Sequence, residues 1–338
     1  MSRNISDLVI AQIGTYKASN LLALIKSPAS IPLGNDGFPS RAEIAHALNV
    51  ALFQGILERV PSGREYTEDV ARSGGQVNFD HGALRTVAWS HNGKLPPGEA
   101  AFTRFLRPLG YRLNGTYPLD RIGMTGRSYA HEDAPDEIAQ FFVSEFHPEK
   151  YSAEFQEAVT NVVMTSRDPL EPRTVALLWK LDRDRYLPIA EAEQVIDNLV
   201  DCFERQHAIP RLADYERLLR ESAEMAWIAT EGNAFNHATD RVDDVETLSR
   251  QQKALGRPMK DKVEVSGSGR VIQTAFRADP VVRQFVCESG VHVRREVPGS
   301  FYEFITRREL EHEQGGKLDL SFDAGNAQAI FKMTAASA

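Results

Sequence analysis

Gly299-Ser300-Phe301-Tyr302-Glu303-Phe304-Ile305-Thr306-Arg307 is an aromatic-rich run with the texture of a β-strand and a glutamate in its middle. Successive strand side chains point to opposite faces, so Phe301, Glu303 and Ile305 share one face and Tyr302 and Phe304 the other. A carboxylate flanked by apolar residues on its own face is costly to bury unless a partner or a metal takes it. The reading of the chain turns on what meets Glu303.

The 338 residues, 42% hydrophobic and 25% charged, describe a soluble globular protein with one large domain or two to three small ones. A net charge of -8 disfavours nucleic acid as a partner, and an anionic small molecule would need local positive charge. Cys202 and Cys287 are the only cysteines, so no disulfide framework is expected and a reducing cytoplasm is the natural location. No apolar signal core follows Met1, and no run approaches the ~18 apolar residues of a membrane helix. Soluble, cytoplasmic and without a membrane partner is the expectation; the oligomeric state is not legible.

Apolar spacing predicts a helix over residues 4–26, weakened at Gly14, and Ser40 with Glu43 three residues on predicts a capped helix to about residue 60. Between 72 and 131, Gly, Pro and Asn punctuate short strands around a small helix near Glu99 to Leu106. Pro135-Asp136-Glu137 reads as opening a helix with Ile138, Phe141 and Phe142, followed by helices over Ala190 to Gln206 and Asp214 to Thr230. Strand texture returns at 263–265, 271–276, 291–293, 301–305, 318–320 and 330–331, with helices expected over 242–256 and 279–287. The division is N-terminal helices over 1–60, a first β-module over 61–133, a helical insert over 134–230 and a second β-module over 231–338.

Histidines are the first partners to consider for Glu303. His46 lies on the second helix, His207 ends a helix, and His91, His131, His147 and His312 sit in surface-like sequence; His292 reads as outward or partly buried. His81 shares a strand face with Ala83 and Arg85, an arrangement that leaves space beside an imidazole and a guanidinium. His237 shares a face with Thr239 and Arg241. Two imidazoles and one carboxylate make the facial set of non-haem Fe(II) oxygenases, which leaves coordination positions open on one side. Asp80 reads either as a group orienting His81 or, preferably, as a turn residue before the strand.

Asn78-Phe79-Asp80-His81-Gly82-Ala83-Leu84-Arg85-Thr86-Val87, Phe235-Asn236-His237-Ala238-Thr239-Asp240-Arg241, Gln273-Thr274-Ala275-Phe276-Arg277-Ala278 and the aromatic-Glu strand together resemble the 2-oxoadipate dioxygenase/decarboxylase (hydroxyglutarate synthase) family of the vicinal-oxygen-chelate superfamily. The resemblance runs in motif order over roughly residues 40 to 310. It implies an α+β fold of two βαβββ-type modules forming a half-open β-barrel around a metal, with N-terminal helices and a central helical insert. It also implies Fe(II) held by His81, His237 and Glu303, with Arg85 as catalytic carboxylate clamp and Gln273, Thr239 and Arg277 near the substrate. The implied reaction, part of lysine catabolism, takes 2-oxoadipate to 2-hydroxyglutarate with O2 uptake and CO2 release. The resemblance also implies a chain shorter than the well-studied bacterial members, which carry additional C-terminal sequence that helps shape the substrate pocket, and this leaves the 2-oxo acid open.

Other activities share this scaffold. A glyoxalase-type isomerase or hydrolase normally needs a fourth protein ligand, and no second strand glutamate stands in a matching place. An extradiol ring-cleaving dioxygenase wants an additional acid-base histidine, and a non-catalytic binding protein has no need of the three residues.

Overall fold

The computed structural model describes residues 2–310 and 317–326. Four helices come first: α1 (Arg3–Ile13), α2 (Thr15–Leu24), α3 (Arg41–Arg59) and α4 (Pro61–Arg72). The single helix expected over 4–26 is two, because Gly14 takes a φ of 79°, a conformation that glycine adopts at low cost. α3 starts as predicted. Ser40 Oγ accepts from the Glu43 N–H at 3.2 Å, and the Glu43 carboxylate accepts from the Ser40 N–H at 2.9 Å.

The first module is β1 (Phe79–Val87), α5 (Ala100–Leu106), β2 (Tyr111–Leu119), β3 (Met124–His131) and β4 (Gln140–Phe146). β4 stands where Pro135-Asp136-Glu137 reads as a helix start. Its alternation wins over that local signal: Phe141 and Val143 enter the main core, while Phe146 faces the opposite cluster. Helices α6 (Ala153–Val163), α7 (Pro172–Asp184), α8 (Ile189–Asp201), α9 (Leu212–Glu221) and α10 (Ala223–Glu231) follow. The helix expected over Asp214 to Thr230 is divided at Ser222, which leaves helical geometry and caps α10 by accepting from the Met225 N–H at 3.2 Å.

The second module repeats the order with β5 (Phe235–Arg241), α11 (Val245–Ala254), β6 (Glu264–Val265) and β7 (Val271–Ala275), then a hairpin of β8 (Pro280–Val286) and β9 (His292–Pro298), and finally β10 (Phe301–Arg307). β8 replaces the helix expected over 279–287, since its β-branched run pairs along its length with β9. Residues 318–320 form no ladder beyond one bridge between Glu309 and Leu318, and the strand expected at 330–331 lies outside the described residues.

One eight-stranded sheet runs through both modules in the order β2-β3-β4-β1-β5-β10-β7-β6 and curls into a half-barrel. Each module places its last strand parallel to its first, β4 on β1 and β10 on β5, and the two modules join through antiparallel β1 and β5. The convex face packs Leu84, Phe141, Val143, Tyr302 and Phe304 against the N-terminal helices, including Phe53 and Tyr66. One end of the concave face is closed where Val87, Leu119, Met124 and Phe146 meet side chains of α6, α9 and α10. Among the described residues no helix is long and apolar enough to cross a membrane.

Gly82 allows the close approach of β1 and β5, because a Cβ there would overlap the Phe235 ring. Gly82→Ala is therefore expected to cost ~1–3 kcal/mol through overpacking. Chemical denaturation would read this as a lower midpoint with an unchanged slope.

Candidate metal centre

Two β-bulges build the centre. In the β1–β5 ladder Phe79 faces Asp240 and His81 faces Thr239, so Asp80 is an extra residue on β1; further on, Ala83 faces His237 and Leu84 faces Phe235, so Asn236 is an extra residue on β5. A bulge breaks strict alternation and re-aims side chains. Asp80 thereby reaches His81 Nδ1 at 2.8 Å, and the Asn236 amide reaches His237 Nδ1 at 2.8 Å. The Nε2 atoms turn inward, 3.4 Å apart, and each lies 3.2 Å from Glu303 Oε2.

These three atoms fit a cation. Donors about 2.1 Å from a metal lie about 3.0 Å apart at right angles and about 3.4 Å apart in a tetrahedron. All three residues are buried, and they are the one such group of His, Cys, Asp and Glu among the described residues. Burial disfavours a charged His81, but Asp80 and Glu303 outweigh it and raise its pKa above the ordinary 6.5. Burial dominates at His237 and lowers its pKa. Burial would raise Glu303, yet the two imidazoles hold it well below the usual carboxylate range. An ionised carboxylate and a neutral His237 are the forms that bind metal.

Thr239 Oγ1 donates to Glu303 Oε2 at 2.5 Å and lies 3.1 Å from His81 Nε2, while Gln273 Nε2 donates to Glu303 Oε1 at 3.1 Å. The structure thus brings Thr239 and Gln273 to the carboxylate. The Phe301 ring lies on His237 with centroids 4.7 Å apart, and Phe322 meets His81 edge-on at 4.8 Å. Arg85 is fully buried on the same face of β1 as His81, its guanidinium 4.7 Å from the centroid of Trp227, and its charge reaches His237. Arg277 is not brought here. It lies two residues past the end of β7, where strand alternation no longer applies, and its side chain is 57% exposed beside Asp261.

Asp80 is a strand residue with no exposed surface, not a turn. Arg307 donates to it twice at 2.9 Å and Arg241 once at 2.6 Å. Burial opposes its charge, but those two cations keep its carboxyl well below the ordinary range. Arg307 also donates to the carbonyls of Asp319 at 2.8 Å and Ser321 at 2.7 Å, which ties the segment carrying Phe322 to the centre. The supporting roles of Asn236, Arg241 and Arg307 are absent from the sequence reading. Arg307 had a usable signal, since it shares the Glu303 face four residues on. His131 and His207, expected at the surface or a helix end, are buried beside the carbonyls of Leu109 and Ala229, and burial pushes both pKa values down to about 4.

Two β-α-β-β-β modules curled around a buried pair of histidines and one carboxylate define a protein of the glyoxalase-like class. The sequence profile of a family described as 2-oxoadipate dioxygenase/decarboxylase matches residues 50–329, and the chain belongs to that family. A chloroplastic 2-oxoadipate dioxygenase/decarboxylase of Arabidopsis thaliana is 28% identical over 144 residues, covering 37% of this chain and 38% of that protein. The structure of a glyoxalase superfamily protein from Ralstonia eutropha JMP134 is 67% identical, with a TM-score of 0.93 over 96% of this chain and 100% of that one. The hydroxyglutarate synthase of Oryza sativa, solved with 2-oxoadipate, shares the fold at 19% identity and a TM-score of 0.68, covering 93% of this chain and 98% of that one.

Asn236→Ala is expected to weaken divalent-cation binding by about tenfold or more while the fold persists. Competition with a chelating dye, alongside circular dichroism, measures both. Because a cation must displace the proton that Asp80 and Glu303 favour on His81, affinity is expected to fall as pH drops through the raised His81 titration. A flat profile from neutral pH to below the ordinary 6.5 would contradict that.

Proposed function

We propose that this protein is an Fe(II)-dependent dioxygenase/decarboxylase of 2-oxo acids, with 2-oxoadipate converted to 2-hydroxyglutarate as the favoured reaction. The observation that carries the reading is the three-donor face, with no fourth His, Cys, Asp or Glu in the group among the described residues, in a chain of this family. The rice relative bound to 2-oxoadipate supports the choice of substrate. The reaction balances with one O2: the six-carbon diacid loses one carbon as CO2, one oxygen atom completes the new carboxylate, and the other becomes the hydroxyl.

His81, His237 and Glu303 would hold Fe(II), which supplies polarisation of the 2-oxo carboxylate and the electrons for O2 reduction. Thr239 and Gln273 each hold one oxygen of Glu303, which prevents the carboxylate from turning away. Arg85 offers a planar fork to a substrate carboxylate, and its guanidinium is set against Trp227, whose Nε1 is anchored on the Gly299 carbonyl at 3.0 Å. Phe301 and Phe322 cover the two imidazoles and exclude water from them. An isomerase of this scaffold would need a fourth protein ligand, and an extradiol enzyme an additional histidine in the group.

Anaerobic loading with Fe(II), followed by oxygen-electrode assays on 2-oxoadipate, 2-oxoglutarate and an aromatic 2-oxo acid, tests this. Equimolar O2 loss, CO2 and 2-hydroxyglutarate are expected from 2-oxoadipate; O2-independent turnover of a thiohemiacetal would contradict the reading. Glu303→Ala is expected to lose iron. Arg85→Ala is expected to keep iron and lose substrate binding, on the order of 2–5 kcal/mol.

A further inference from the structure

A charged pair in the second module faces the triad. Glu264 on β6 lies opposite Gln273 on β7, and residues paired across a ladder point the same way. Gln273 points at the centre, since its amide holds Glu303, so Glu264 faces the same concave side. The Glu264 carboxylate pairs with Lys260, whose backbone N–H donates to the Ala275 carbonyl at 2.9 Å; Ala275 is the residue opposite Glu303. Both side chains are sequestered, Lys260 11% and Glu264 14% exposed.

Stability does not explain this pair. A buried ion pair gains little over a neutral pair of similar shape, because desolvation offsets the attraction. Its hydrogen bonding is also incomplete: the ammonium of Lys260 carries three donors and meets Glu264 Oε1, while Glu264 Oε2 has no hydrogen-bond partner among the described residues. Arg85 approaches the centre from the first module, and Lys260 stands on the side of the second. β6 is two strands from β10, about 10 Å across the sheet, a span that the lysine stem and a chain of five or six carbons bridge together. A diacid brings one carboxylate for each cation.

We propose that Lys260 binds the second carboxylate of a 2-oxo diacid and that Glu264 is the counterion it exchanges for substrate, so that the pair selects diacids over monoacids. This rests on the 2-oxo acid reading of the same centre. The test is calorimetric binding of 2-oxoadipate and of 2-oxohexanoate, which has the same length and no distal carboxylate, to the anaerobic Fe(II)-loaded protein. No turnover is needed, so failure of the functional reading appears separately as absent O2 uptake. In Lys260→Gln the preference for 2-oxoadipate is expected to fall about tenfold or more, the loss of a charge-assisted hydrogen bond. In Glu264→Gln, which frees the ammonium of its competitor, 2-oxoadipate is expected to bind more tightly than in the unaltered protein. The double variant Lys260→Gln/Glu264→Gln leaves no buried charge unpaired and is expected to show the same lost preference at an unchanged melting temperature. A wild-type protein that binds both acids equally, or a double variant that keeps the wild-type preference, overturns the proposal.

Discussion

Asp80 has no exposed surface, yet it meets the His81 imidazole and the guanidinium groups of Arg241 and Arg307. A lone carboxylate costs several kcal/mol to bury, so each of these contacts depends on the others. Their consequences spread across the sheet. Arg241 sits on β5 and also donates to the Asp136 carbonyl at 3.0 Å, just before β4. Arg307 sits on β10 and holds the Asp319–Ser321 backbone, which sets Phe322 against His81. One buried charge therefore fixes an imidazole, links β1 to β10 across the intervening β5, and anchors the segment over the centre.

The centre straddles the seam between the modules, with one histidine from each side. A bulge on each strand supplies each imidazole with its own preceding neighbour, but the neighbours differ. Asp80 is ionic and favours charge on His81, whereas Asn236 is neutral and leaves His237 governed by burial. The two imidazoles thus start from different protonation tendencies although they lie 3.4 Å apart. Glu303 belongs to β10, parallel to β5, and closes the triangle from the second module. Neither module alone contains the three donors.

Alternation made Glu303 legible, together with the opposite face of Tyr302 and Phe304, which lies in the main core. Period-two counting also put His81 and Arg85 on one face. It failed wherever the period breaks. The bulges at Asp80 and Asn236 are pairing defects between strands 156 residues apart at their histidines, so no local pattern announces them, and Asp80 read as a turn. The family resemblance implied Arg277 near the substrate, but it lies past the end of β7 with its side chain on the exterior. β4 and β8 were obscured because local helix signals compete with pairing partners that only the assembled sheet supplies. Lys260 carries no strand pattern at all; only the backbone bond to Ala275 reveals its place.

Three inward-facing atoms, His81 Nε2, His237 Nε2 and Glu303 Oε2, are brought together by the bulged seam. Crystals grown anaerobically with Fe(II), measured on either side of the iron absorption edge, test this most directly. One anomalous peak within bonding distance, about 2.0–2.2 Å, of all three atoms is expected. A peak elsewhere, or an iron bound without Glu303, would contradict it.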